Sequence, residues 1–112
     1  PPFAKGAGFR MRTNLSEEPM AELLSDSQIE ERLEALDGWE RDEDIIERTL
    51  EFGGFMEAID FINRIAPLAD EADHHPEIFN VYSTVELALT THDAGGLTEK
   101  DFDLAEQIDQ QV

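Results

Sequence analysis

Residues 45–72, IIERTLEFGGFMEAIDFINRIAPLADEA, contain both of the repeat distances from which the fold can be read. Ile46, Arg48, Leu50 and Phe52 alternate with Glu47, Thr49 and Glu51. Successive side chains of a strand point to opposite sides, so this spacing predicts a strand with one largely apolar face. Gly53-Gly54 breaks the alternation. Beyond it Phe55, Ala58, Ile59, Ile62, Ile65, Ala66 and Ala69 recur at helical spacing, with Glu57, Asp60 and Arg64 between them. That broad apolar stripe predicts a helix over 55–72. Pro67 lies inside it, and a proline deletes an amide donor and crowds the preceding turn, so a kink or an early end is expected there.

Toward the N-terminus, Ser27 and Glu30 have capping-box spacing, which predicts a helix over about 26–37. Ile29, Leu33 and Leu36 share one face, and Gly38 is a natural stop before Trp39 opens a first strand. Toward the C-terminus the period returns to two from Asn80 to Thr91, where Val81, Ser83, Val85, Leu87, Leu89 and Thr91 share one parity. Thr98 then caps a last helix running to about Asp109. Asp101 takes the acidic place of its capping box, and Leu97 and Phe102 stand at the positions of a hydrophobic staple. Ala105 and Ile108 continue the buried face. The predicted fold class is α+β: two layers, with helices packed on one face of a four-stranded antiparallel sheet. Residues 1–19 show neither pattern and read as a tail or a remnant of expression, with Met20 favoured over Met11 as a natural start. Residues 20–112 form a single domain.

At 112 residues the chain has room for one hydrophobic core. An apolar content of 40% fits a packed domain, and no apolar run approaches the length of a membrane-spanning helix. The absence of cysteine excludes disulfides and thiolate metal sites, and the reading places the protein in the cytoplasm. Eight Lys and Arg against 27 Asp and Glu give a net charge of −19. Such a surface repels phosphates, which argues against direct nucleic-acid binding. The acidity serves solubility or, in a sharper reading, adaptation to high salt.

The three histidines fall within nineteen residues: His74, His75 and His92. Imidazole titrates near neutrality and can both give and take a proton. The span from His75 to His92, if straight, would cover about 40 Å at about 3.3 Å per residue, too far for one small ligand. Either the chain doubles back between Pro76 and Val85, adding a short strand, or the site forms between subunits. Doubling back is favoured, although only Asn80, Ser83 and Thr84 signal a turn. The histidines admit three readings: surface or capping groups without chemistry, zinc ligands, or general acids and bases. Zinc is disfavoured because cysteine is absent and adjacent residues of an extended segment point apart.

The run D-x-x-D-H-H-P-E-I-F-N-V-Y from Asp70, followed by V-x-L-x-L-T-T-H-D-A-G-G-L-T-x-x-D from Val85, resembles the signature of pterin-4a-carbinolamine dehydratases. The likeness extends back through the second helix, the strand I-x-R-x-L-x-F and the segment L-x-G-W, covering nearly everything from Met20 onward. H-H-P alone is a weak signal; joined to T-H-D-x-G-G-L-T it is strong. The resemblance implies a lyase that removes water from 4a-hydroxytetrahydropterin to give a quinonoid dihydropterin in tetrahydrobiopterin recycling. It implies proton handling by His74, His75 and His92, without metal or separate cofactor. Asp70, Pro76, Thr91, Asp93 and Ala94 would complete the pterin site. It also implies a homodimer or homotetramer. The alternative is a non-catalytic dimerisation cofactor for a protein partner, a role that some family members have. Ile78 stands where some relatives have Trp, and Lys100 where some have Arg, which is not an equivalent fork of donors.

Salt adaptation has a direct consequence. Screening shortens the reach of carboxylate repulsion, so the melting temperature should climb as salt is added, and a flat response in a thermal melt would contradict it.

Overall fold

The computed structural model describes residues 22–112; residues 1–21, with the tail and the choice of start, lie outside the described residues. The elements in chain order are α1 (Asp26–Glu34), β1 (Glu40–Asp42), β2 (Ile45–Glu51), α2 (Phe55–Ala72), β3 (Glu77–Val81), β4 (Thr84–Leu89), a 3-10 turn (His92–Ala94) and α3 (Glu99–Asp109). The strands form one antiparallel sheet in the order β1-β2-β4-β3.

Register fixes which face is covered. Ile46, Arg48 and Leu50 of β2 stand opposite Leu89, Leu87 and Val85 of β4. These residues, Arg48 apart, join Ile29, Phe61, Ile65, Phe102, Leu104 and Ile108 from the helices in one buried cluster. The opposite face carries exposed Glu47, Thr49, Glu51, Glu77 and Glu86. Glu40 pairs directly with Glu47 there, a like-charge juxtaposition that disfavours the sheet. The fold is the predicted two-layer α+β arrangement.

Arg48 on the covered face is accounted for by its partner. Its guanidinium donates to Asp109 at 2.5 Å, and the Trp39 indole donates to the same carboxylate oxygen at 2.8 Å. Asp109 ends α3, where a carboxylate opposes the helix dipole, so the cation offsets it. Gly38 makes this approach feasible: it has φ +90°, and a Cβ there would lie 3.0 Å from Arg48 Nε. Arg32 of α1 similarly pairs with Glu99 and Asp103 of α3. The hydrogen bond to Glu99 raises the Arg32 pKa above its ordinary value.

Four expectations need correction. The first helix begins at Asp26 as expected, but Ser25 and Gln28, in place of Ser27 and Glu30, form its capping box, and it ends at Glu34 rather than near residue 37. A cap at Ser25 puts Leu24 before it and Ile29 at the fourth position, so both can turn onto the core, whereas Asp26 would precede a Ser27 cap. Pro67 does not end α2, which continues to Ala72; the proline is exposed, so its ring displaces no core contact. Phe55 and Ala66 of the expected stripe are exposed, while Phe61, absent from it, is fully buried. The extended region from Asn80 to Thr91 is two strands, joined at Tyr82-Ser83, with Tyr82 at φ +50°. The Asn80 amide donates to the carbonyls of Tyr82 and Thr84 and holds that turn. The chain therefore doubles back as favoured.

Phe61→Ala should cost about 3–5 kcal/mol in urea unfolding, and the partly buried neighbour Ile62→Ala about 2 kcal/mol or less; equal losses would contradict this placement of the core.

Candidate functional site

The hairpin of β3 and β4 carries distant parts of the sequence to one end of the sheet. Glu77 pairs with Ala88 at the end of the ladder, which leaves His74 and His75, just before β3, beside Thr90 and Thr91, just after β4, on the wall of one cleft. His92 follows at once in the 3-10 turn. The turn closes because the Gly96 carbonyl accepts from Thr91 N–H and Gly95 adopts φ +82°, a conformation glycine takes without strain. On the other side α2 ends with Asp73 in the left-handed region, and His74 N–H donates back to Ala69.

His74, His75 and His92 line one cleft of about 250 Å³, together with Asp73, Thr90, Thr91, Asp93 and Lys100. His74 is mostly buried, with its Nε2 2.6 Å from Oδ1 of Asp101. A carboxylate accepts only, so Nε2 carries the proton, and in the neutral ring Nδ1 is the acceptor nitrogen. Asp101 is 0% exposed. Its second oxygen accepts from Thr98 N–H at 2.9 Å and from the Thr91 hydroxyl at 2.9 Å, and the Thr98 hydroxyl lies 2.8 Å from that of Thr91. The expected α3 capping box is thus present, and its acidic member also holds a histidine. Sequence spacing identified Asp101 only as a helix cap. Its second role needed the knowledge that β4 ends beside the start of α3.

The remaining expected site residues divide between two places. Thr91 and Asp93 line the histidine cleft. Ala94 is half-buried in the same turn but lines neither cavity. Asp70 and Pro76 line a second groove, between α2 and β3, which they share with His75. There His75 Nε2 lies 3.3 Å from Asp70 Oδ1, with the two side chains 60% and 87% exposed, so solvent leaves that pair weak. Ile78 borders this groove and Lys100 the cleft, so both departures from the resemblance fall at cavity walls. A further depression of about 270 Å³ beside Glu47, Phe79 and Glu86 has no histidine. Among the described residues no group of three or more His, Asp or Glu is placed to hold a metal ion.

Asp101→Ala would leave the His74 imidazole without its partner and the buried Thr98 N–H without its acceptor. It should cost more than about 2 kcal/mol in urea unfolding, since each buried group left without its partner costs about 1–3 kcal/mol. Asp70→Ala should cost less than about 1 kcal/mol, and comparable losses would contradict the contrast between the two pairs.

The family model described as pterin 4 alpha carbinolamine dehydratase matches residues 22–111. A provisionally named pterin-4-alpha-carbinolamine dehydratase of Roseiflexus sp. (strain RS-1) is 54% identical over 91 residues, covering 81% of this chain and 98% of that protein. One with the same provisional name from Haloarcula marismortui is 49% identical, covering 80% of this chain and 95% of its own. Among solved structures, one described as a transcriptional coactivator/pterin dehydratase from Brucella melitensis superposes with a TM-score of 0.76 at 38% identity, over 79% of this chain and 96% of that one. A pterin dehydratase-like protein described as a RuBisCO assembly factor in the alpha-carboxysome has a TM-score of 0.54 at 20% identity, covering 65% and 84%. That match speaks to the fold alone.

Proposed function

Because this chain belongs to the pterin-4-alpha-carbinolamine dehydratase family, we propose that it removes water from a 4a-hydroxytetrahydropterin by histidine general acid–base catalysis. In the reaction the proton on ring N5 goes to a base. The electron pair of that N–H bond forms a double bond between N5 and C4a. The C4a–O bond breaks, and the departing hydroxide takes a proton from an acid to leave as water. The product is a quinonoid dihydropterin. The observation that carries the reading is the convergence of His74, His75 and His92 on one cleft.

Each imidazole suits a role in it. Asp101 holds His74 in the tautomer whose Nδ1 accepts, and its charge stabilises the imidazolium that forms, so His74 fits the base. His75 and His92 are exposed and exchange protons with solvent, as a donor to the leaving hydroxyl must between turnovers. Thr91 and Asp93 border the ring, Asp70 stands beside His75, and Pro76 and Ala94 shape the surroundings.

The proposed setting is the cytoplasm, in tetrahydrobiopterin recycling. No helix among the described residues is long and apolar enough to cross a membrane. We propose a homodimer or homotetramer, since among the described residues β3 ends the sheet with an unpaired edge bearing exposed Ile78, Phe79 and Val81. The same edge supports a second reading, a regulatory role on a protein partner, which the description of the Brucella neighbour also favours.

A 4a-hydroxypterin generated in situ should dehydrate faster than its spontaneous rate when the protein is added, at moderate or high salt. His75→Ala and His92→Ala, each folded by circular dichroism, should lose at least about 100-fold; full activity in both would refute the assignment.

A further inference from the structure

The 3-10 turn that carries His92 stands on two feet, Thr91 and Gly96. Its own hydrogen bonds are internal. The N–H groups of Ala94 and Gly95 donate to the Thr91 carbonyl at 3.1 and 3.0 Å, and Thr91 and Gly96 pair as an isolated bridge. Such bonds fix the shape of a turn and leave its place relative to the cleft to outside contacts. The Thr91 foot has one in its hydroxyl, which donates to Asp101 at 2.9 Å, and beside it the Thr90 hydroxyl donates to the Asp44 carbonyl at 2.6 Å. The Gly96 foot is held by the stretch just before α1. There Leu24 N–H donates to the Leu97 carbonyl at 3.0 Å, and Leu23 lies against the buried Gly96. A Cβ on Gly96 would come 3.0 Å from Leu23 Cδ2 and 3.5 Å from Asp44 Oδ1, so the leucine methyl takes up the room that the missing side chain leaves. His74 and His75 each have a carboxylate beside Nε2. Among the described residues no hydrogen bond holds the His92 ring, so its place follows that of its turn.

Resting on the dehydratase reading, we propose that Leu23 is a positioning residue for His92: its side chain backs Gly96 and thereby holds the turn that presents the imidazole to the cleft. A leucine 56% exposed adds little to the core, so its value at this position lies in that contact. It lines neither the cleft nor the groove beside it, and acts through the turn alone. A proton donor must come within about 2.6–3.2 Å of the oxygen it serves, and a misplacement of about 1 Å can cost about 100-fold in rate. Loosening the turn at Gly96 moves His92 and spares His74, which Asp101 holds separately.

Leu23→Ala removes the backing, and Leu23→Met, of similar volume, keeps it. Both are compared with the wild type in dehydration of a 4a-hydroxypterin made in situ, with a thermal melt to check the fold. Nitrogen NMR of isotope-labelled histidine follows the imidazoles separately. Leu23→Ala should lower kcat about tenfold with KM within about twofold. It should also move the His92 ring signals while those of His74 and His75 stay. Leu23→Met should hold kcat within about twofold of the wild type. An unchanged kcat in Leu23→Ala, a loss that Leu23→Met shares, His92 signals that stay fixed, or all the imidazoles shifting together would overturn the positioning role and leave the dehydratase reading intact. No turnover by the wild type would overturn the dehydratase reading, and the ring signals alone would then decide whether Leu23 places His92.

Discussion

The carboxylate of Asp101 is the constraint on which the site depends. A buried charge is costly unless it is paired and hydrogen-bonded, and this one has partners on both oxygens. One faces the His74 imidazole; the other accepts from the start of α3 and from the Thr91 hydroxyl at the end of β4. Three segments that meet nowhere else in sequence are fixed to one another through two oxygen atoms. The entry angle of α3 is clamped at the same point, since Leu97 and Phe102 on either side of the cap are both buried. The orientation of an imidazole in the cleft and the seating of a helix on the core are therefore one structural event.

Much of this was legible locally, because the deciding forces were local. Strand β2 shows in its alternation and α3 in its capping box, where side chains a few residues apart satisfy or bury one another. The limits are as instructive. Ser25-Gln28 and Ser27-Glu30 are overlapping boxes of equal local merit. What separates them is whether Leu24 or Asp26 precedes the cap, hence whether the core accepts the flanking residue. The Tyr82-Ser83 turn carries no glycine; a non-glycine residue takes the positive φ, held by the Asn80 amide, so composition gave little warning. Phe61 fell outside the expected stripe although it is fully buried, with its ring 5.0 Å from that of Phe52 just past β2. The double duty of Asp101 was hidden for a different reason. A capping carboxylate is usually solvated, and only the tertiary approach of β4 makes it a partner for histidine.

The charge of the molecule is distributed in keeping with this division. On the helix side of the sheet Arg48 pairs with Asp109 and Arg41 with Asp26, and Arg32 joins α1 to α3 through Glu99 and Asp103. These cations bridge elements. On the outer face glutamates stand beside or opposite one another with no basic residue among them in the strands. Repulsion there is the cost of a strongly acidic surface, and it acts on the sheet that carries the site rather than on the site itself. Among the described residues Lys100 is the one lysine or arginine bordering the cleft, where it offsets Asp73 and Asp93.

The contrast between the two histidine–carboxylate pairs follows from burial and bears on the chemistry. His74 and Asp101 meet away from solvent, where a charge-assisted hydrogen bond holds one geometry. His75 and Asp70 meet in water, where the same pair of groups constrains little. A dehydration needs both kinds of group. The base must be aimed at one ring proton, which rewards an imidazole locked in a single tautomer. The acid must recover a proton from bulk water after each turnover, which rewards exposure. Since the leaving group is itself water, an open cleft admits nothing that the reaction does not already release. Fixing one histidine through the core while leaving two in solvent is thus a division that the proposed chemistry can use directly.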